Sequence, residues 1–130
     1  MAFMKQKKCD YDQHIIDALR KIKQPIIGKG GRLFYIREKA RNETGFEHIA
    51  KKFHRLKVRD IEDIPSILRH PIACESDPRN KIYRNYYGIR RGSEKDLLLK
   101  IVTSPVKGRR DFEEIIVTIY PVKSVKNYWK

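Results

Sequence analysis

This sequence predicts an α+β fold: N-terminal helices packed on a curved, mainly antiparallel sheet that ends in a three-strand meander. Three observations carry that expectation. Two segments of the first half, residues 12–22 and 58–69, place apolar residues at helical spacing. Three stretches of the second half, residues 81–91, 97–103 and 112–122, alternate as strands do. The connectors between them, RGSEKD and SPVKGRRD, have hairpin length and turn chemistry, and sequential hairpins beside segregated helices make an α+β domain.

The elements follow in order. In residues 12–22, Ile15, Ile16, Leu19 and Ile22 share one helical face and Pro25 ends the helix; GKGG at 28–31 is a turn, and residues 32–40 are rich enough in aromatic and β-branched side chains to form a strand. Next comes TGFEHIAKKFHR, residues 44–55. Thr44 and Glu47 stand in capping-box spacing, so the Thr44 hydroxyl accepts from the Glu47 N–H while the Glu47 carboxylate accepts from the Thr44 N–H. On a continuous helix Phe46, Ile49, Ala50, Phe53 and Leu56 gather on one face, and His48, Lys52 and Arg55 line its flank with Lys51 nearby. In residues 58–69, Ile61, Ile64, Ile67 and Leu68 form an apolar stripe; Pro65 fits the first turn of a helix capped by Asp63, and Pro71 stops it. SDPRN then reads as a polar loop before the meander.

Alternation sorts the strand residues onto faces. Lys100 lies with Leu98 and Val102; Thr118 and Tyr120 lie with Ile116, opposite Ile115, Val117 and Ile119. The first meander strand sets Arg84, Tyr86 and Arg90 on one side and Tyr83, Tyr87 and Ile89 on the other.

At 130 residues the chain is one domain, 1–130, with residues 1–8 read as a flexible basic extension. Lys and Arg number 30 against 16 Asp and Glu, a formal charge of +14 distributed through KQKK, KARN, KKFHR, RNK, RR and KGRR. A field spread this widely favours a polyanionic partner, and nucleic acid is the natural one, ahead of an anionic membrane. Two cysteines, Cys9 and Cys74, have neither metal-ligand spacing nor the density of a secreted disulfide scaffold. No stretch approaches the ~20 apolar residues of a membrane span, and the N-terminus lacks a signal-peptide apolar run, so a cytoplasmic location is expected. No HExxH, paired CxxC or EF-hand pattern occurs, and neither metal nor cofactor is expected.

The segment around His48 carries the chemistry. Cations beside an imidazole disfavour its protonated form, so His48 would be neutral near pH 7, able to take a proton from a hydroxyl while the same cations hold a phosphate. The bland alternative is a solvated amphipathic helix with ordinary surface charges.

Residues 45–122 resemble the phage and mobile-element nuclease domains of the barnase, EndoU, colicin and RelE superfamily. The resemblance rests on FEHIAKKFH, matching a family pattern of HI followed by a basic residue and a second histidine; on IPSILRHPI, an apolar helix ending in proline; and on the closing strand IIVTIYP. It implies a nuclease-like core over 45–122 and a toxin-like hydrolase that cleaves RNA on the sheet's concave face without metal. Catalytic roles would fall on His48, Lys51 or Lys52, Thr118 and Tyr120. In the family the second histidine follows more closely on the first. His54 is six residues after His48 and on a continuous helix points about 120° away, so it stays outside the site unless the helix ends near Phe53.

Metal-free RNA cleavage uses the 2′-OH as internal nucleophile and leaves a 2′,3′-cyclic phosphate. It needs a base, an acid for the leaving 5′-oxygen and donors to the phosphorane. His48 would be base or acid, Lys51 or Lys52 would stabilise the phosphorane, Thr118 would donate a hydrogen bond to it, and Tyr120 would orient the phosphate. RNA contacts would come from Arg55, Tyr86, Arg90, Arg91, Lys100, Arg109 and Arg110, tyrosines stacking on bases while cations hold the backbone. The rival readings are a nonenzymatic RNA- or ribosome-binding module and a catalytically inactive relative retained as an interaction domain. An active ribonuclease with tRNA or mRNA as substrate would also need an acidic antitoxin or immunity protein over its basic face.

Overall fold

A computed structural model describes residues 11–38, 45–91, 97–106 and 113–123. The expected features at residues 1–8, Thr44, the connector residues 92–96 and 107–111, and with them Arg109 and Arg110, lie outside the described residues. Helix α1 (Gln13–Lys21) starts at a side-chain cap, the Asp12 carboxylate accepting from the His14 N–H at 2.9 Å, and buries Ile15, Ile16, Ala18 and Leu19. Across the turn at Lys29–Gly31, where Gly30 and Gly31 adopt positive φ, β1 (Ile26–Ile27) and β2 (Leu33–Tyr35) form a short antiparallel hairpin. The Gln24 amide extends that pairing, accepting from the Ile36 N–H at 2.7 Å and donating to the Ile36 carbonyl at 3.1 Å.

The helix expected over 44–55 is broken. Helix α2 is only Phe46–Ile49, Lys51 is extended (φ −56, ψ 136), a 3-10 turn runs Lys52–His54, and Arg55 closes it in the left-handed region (φ 57). The cause is tertiary competition for a carbonyl. Ala50 O, which a continuous helix would give to the N–H of His54, instead accepts from the Asp12 N–H at 2.8 Å, and Tyr11 bridges Lys51 as a strand would. His54 N–H turns to the Lys51 carbonyl at 3.0 Å. Phe46, Ile49, Ala50 and Leu56 are buried as the apolar face requires, but Phe53 is turned out to solvent at 72% exposure. Residues 58–69 likewise divide into α3 (Val58–Glu62) and α4 (Ile64–Arg69) about Asp63, with Pro65 in the first turn of α4.

Strand β3 (Ala73–Ser76) pairs with β4 (Arg84–Ile89), and β4, β5 (Leu98–Pro105) and β6 (Glu113–Val122) form the antiparallel meander. The six-stranded order is β1-β2-β6-β5-β4-β3, parallel only between β2 and β6. Alternation alone misplaces part of β6. Val102 faces Thr118 but Thr103 faces Ile116, so Val117 is an extra residue, a β-bulge. The bulge moves Ile116 off the face of Thr118 and Tyr120 and places Ile115, across from Ser104, on it.

One face of the sheet, carrying Tyr86, Leu99, Ile101, Ile116 and Ile119, packs with Phe34 and the helix residues Leu19, Ile49, Ile61, Ile64 and Leu68 into the core. Within that layer Glu114 is 4% exposed and fully engaged: it accepts from Thr103 Oγ1 at 2.5 Å, Arg32 at 2.7 Å and the Tyr86 hydroxyl at 3.1 Å. Burial pushes the Tyr86 phenol well above its ordinary range, and the Glu114 carboxylate beside it adds to the effect. The opposite face carries Tyr87, Lys100 and Tyr120 in one cross-strand row and Asn85, Val102 and Thr118 in the next. Among the described residues no helix is long and apolar enough to cross a membrane.

Candidate active site

The break after Ile49 builds the site. By turning the chain at Lys51, it carries the His54 ring back toward His48, with centroids 5.7 Å apart and planes at 82°. On its other side His54 stacks on Tyr120 of β6, at 6.1 Å and 29°. Lys100, register partner of Tyr120, places its ammonium 5.3 Å from the centroid of that ring. A continuous series thus runs His48, His54, Tyr120, Lys100, from the helix-turn segment onto the sheet.

His54 is 8% exposed and its orientation is fixed. Nδ1 lies 2.9 Å from the Ile49 carbonyl, which can only accept, so Nδ1 carries the proton and the neutral ring presents its lone pair at Nε2. A neutral imidazole held this way is a base, and its protonated form is an acid at the same atom. The residue that sequence spacing set aside is therefore part of the cluster, for the reason the exception allowed: the helix does not continue. The signal for the break was a contact from residues 11–12, which the local sequence does not encode.

The turn behind His54 is anchored by a buried ion pair. Asp60, 0% exposed, accepts from Arg90 Nε at 3.0 Å and Nη2 at 2.9 Å, and caps α3 by accepting from the Lys57 N–H at 2.7 Å. Arg90 Nη2 also donates to the Arg55 carbonyl at 2.9 Å, which holds the left-handed residue next to His54. Arg90 is thus committed to positioning the turn rather than free as a phosphate clamp. Arg91 faces Asp63 at 3.1 Å and Glu62 at 3.6 Å, both exposed contacts.

Thr118 lies one row from Tyr120 on the same face, and its buried hydroxyl has no hydrogen-bond partner among the described residues. Lys51 and Lys52 immediately precede Phe53; the Lys51 ammonium lies 6.0 Å from the Phe53 centroid and Lys52 is exposed. Tyr86 is a correction. It is 4% exposed on the helix-packed face with its hydroxyl given to Glu114, so it cannot stack on a base beside Tyr120. An open cleft of about 580 Å³ adjoins the cluster, bounded by Phe53, His54, Arg55, Arg90, Tyr120 and Lys123, with apolar Leu97, Pro121 and Val122. A cleft of about 610 Å³ between α1, β1, α3 and α4 is lined by none of the candidate residues. Among the described residues no three His, Cys, Asp or Glu side chains are grouped so as to hold a metal ion.

The chain matches no protein-family model, no curated protein and no solved structure.

Proposed function

We propose that the protein is a metal-independent endoribonuclease of the toxin type, related to the barnase, EndoU, colicin and RelE superfamily, acting on RNA by 2′-OH transesterification. The observation that carries the reading is the pair of imidazoles with ring centroids 5.7 Å apart, one with its Nδ1 proton committed to a carbonyl, which leaves the lone pair of the neutral ring on Nε2. Two histidines beside each other can divide the two proton transfers. One neutral ring takes the 2′-OH proton as the 2′-oxygen bonds to phosphorus; the other, protonated, gives its proton to the 5′-oxygen as the P–O5′ bond breaks. The products are a 2′,3′-cyclic phosphate and a 5′-hydroxyl. Lys100 and Lys52 supply positive charge for the phosphorane, Thr118 a hydroxyl donor and Tyr120 a group to orient the phosphate. The net charge of +14 supports a polyanionic substrate, and an acidic antitoxin or immunity protein would be the partner that restrains the activity.

The reading is tested by incubating purified protein with labelled tRNA and a mixed-sequence RNA in EDTA and analysing the product ends. Cyclic phosphate ends, absent when the substrate is fully 2′-deoxy, are expected. RNA that is bound but left intact would favour the nonenzymatic binding module or inactive relative instead.

A further inference from the structure

Phe53 is the most exposed large hydrophobic residue among those described, at 72%, although the sequence places it on the apolar face of its helix. The chain break that delivers His54 to the site is the same event that ejects Phe53, so the ring stands beside the reactive group, 4.5 Å from the His54 centroid. Phe53 forms one wall of the 580 Å³ cleft, with His54 and Tyr120 beside it. The other boundary is cationic: Arg55 and Lys123 are exposed there, and Lys51 and Lys52 precede the ring in sequence. A planar apolar ring at the mouth of a cleft, ringed by cations, has the chemistry of a site that stacks a base while holding the phosphates on either side. The volume lies within the roughly 300–1,000 Å³ of small-ligand pockets, which accommodates a nucleoside.

We propose that Phe53 and this cleft form a nucleobase subsite, so that the RNA taken by the enzyme is single-stranded at the nucleotide next to the cleaved bond. A base can reach the Phe53 face only when unstacked from its neighbours, and a duplex holds its bases inside the helix. The subsite rests on reading the neighbouring cluster as an RNA site, and it sets the substrate class: unpaired loops, bulges and ends rather than continuous duplex. Phe53 here positions the substrate and moves no proton.

The test uses the full chain and a short mixed-sequence RNA fully 2′-O-methylated, which cannot cyclise, offered as a single strand and annealed to its complement. Wild type should bind the single strand more tightly than the duplex. Phe53→Ala should lose about 5- to 150-fold in single-strand affinity, the range of one base stack, with little change for duplex. Phe53→Trp should retain the preference, while Phe53→Leu, apolar but not planar, should resemble alanine. Equal single-strand affinity in wild type and Phe53→Ala, or no wild-type preference for the single strand, overturns the subsite. Because the probe cannot be cleaved, the result is independent of catalysis: Phe53-dependent binding by a protein that cleaves no RNA sustains the subsite and defeats only the ribonuclease reading.

Discussion

Replacing Asp60 with asparagine should be among the most damaging single changes to the fold outside the apolar core. The Asp60 side chain is 0% exposed and its carboxylate serves three donors: two guanidinium nitrogens of Arg90 and the backbone N–H of Lys57 at the start of α3. Removing one partner of a buried pair leaves the other charge uncompensated and costs about 3–5 kcal/mol. Arg90 keeps 14% side-chain exposure and its bond to the Arg55 carbonyl, and asparagine retains an oxygen for Lys57, so the loss belongs near the lower end, about 3 kcal/mol. With a urea slope of about 1–3 kcal/mol per molar, the unfolding midpoint should fall by about 1–3 M. Urea unfolding of Asp60→Asn, Arg90→Gln and the double variant separates the pair from the individual side chains. Coupling should make the double variant at least about 1 kcal/mol less destabilised than the sum of the singles. A loss below about 1 kcal/mol for Asp60→Asn, or strict additivity, would refute the claim that this pair anchors the turn.

Two further perturbations probe the helix-packed face. Tyr86→Phe removes the hydroxyl given to Glu114, which keeps Thr103 and Arg32, so about 1 kcal/mol of stability should be lost at pH 7 by urea unfolding. The raised Tyr86 pKa also sets a pH dependence. Above the ordinary tyrosine range near pH 10 the unfolded chain ionises this phenol while the folded chain keeps it protonated, so the unfolded state binds fewer protons and stability falls as pH rises. Wild type should therefore lose stability more steeply than Tyr86→Phe at alkaline pH, and parallel slopes would contradict the assignment. Gly88→Ala should destabilise by about 1–3 kcal/mol, because a Cβ there would meet Ile67 Cγ1 of α4 at 2.5 Å; an unchanged urea midpoint would show that α4 can move off β4 without cost.

Much of the fold was legible because it is written in local patterns. The apolar stripe of α1, the Pro65 start of α4 and the three strands of the meander all follow from spacing that a window of a dozen residues contains. What was not legible came from outside such windows. The helix over 44–55 breaks because Asp12 and Tyr11, some forty positions away, take over the backbone at Ala50 and Lys51. The bulge at Val117 shifts a face assignment by one residue, and perfect alternation carries no trace of it. Strand β3 carries no strand signal of its own, because ACES has no aromatic or β-branched residue.

The candidate site divided in the same way. His48 stands out by its cationic helix flank and Lys100 by its strand face, while Thr118 and Tyr120 rest on the resemblance carried by IIVTIYP; the rows Lys100–Tyr120 and Val102–Thr118 exist as pairs. Continuous helical geometry places His54 outside the site, and the chain does not follow that geometry after Ile49. Arg90 reads as a phosphate clamp by its charge alone, but its buried acidic partner, Asp60, lies 30 positions away and makes it a structural anchor.

The two-histidine site is tested most directly by single-turnover cleavage of a short RNA in EDTA with wild type, His48→Ala, His54→Ala and the double variant, each checked for native unfolding behaviour. If the imidazoles share the two proton transfers, each single variant should lose about 10²- to 10⁴-fold in rate. The double variant should then lose little more than the worse single, because groups acting as a unit are not additive. A folded His54→Ala protein that cleaves at the wild-type rate would contradict the account.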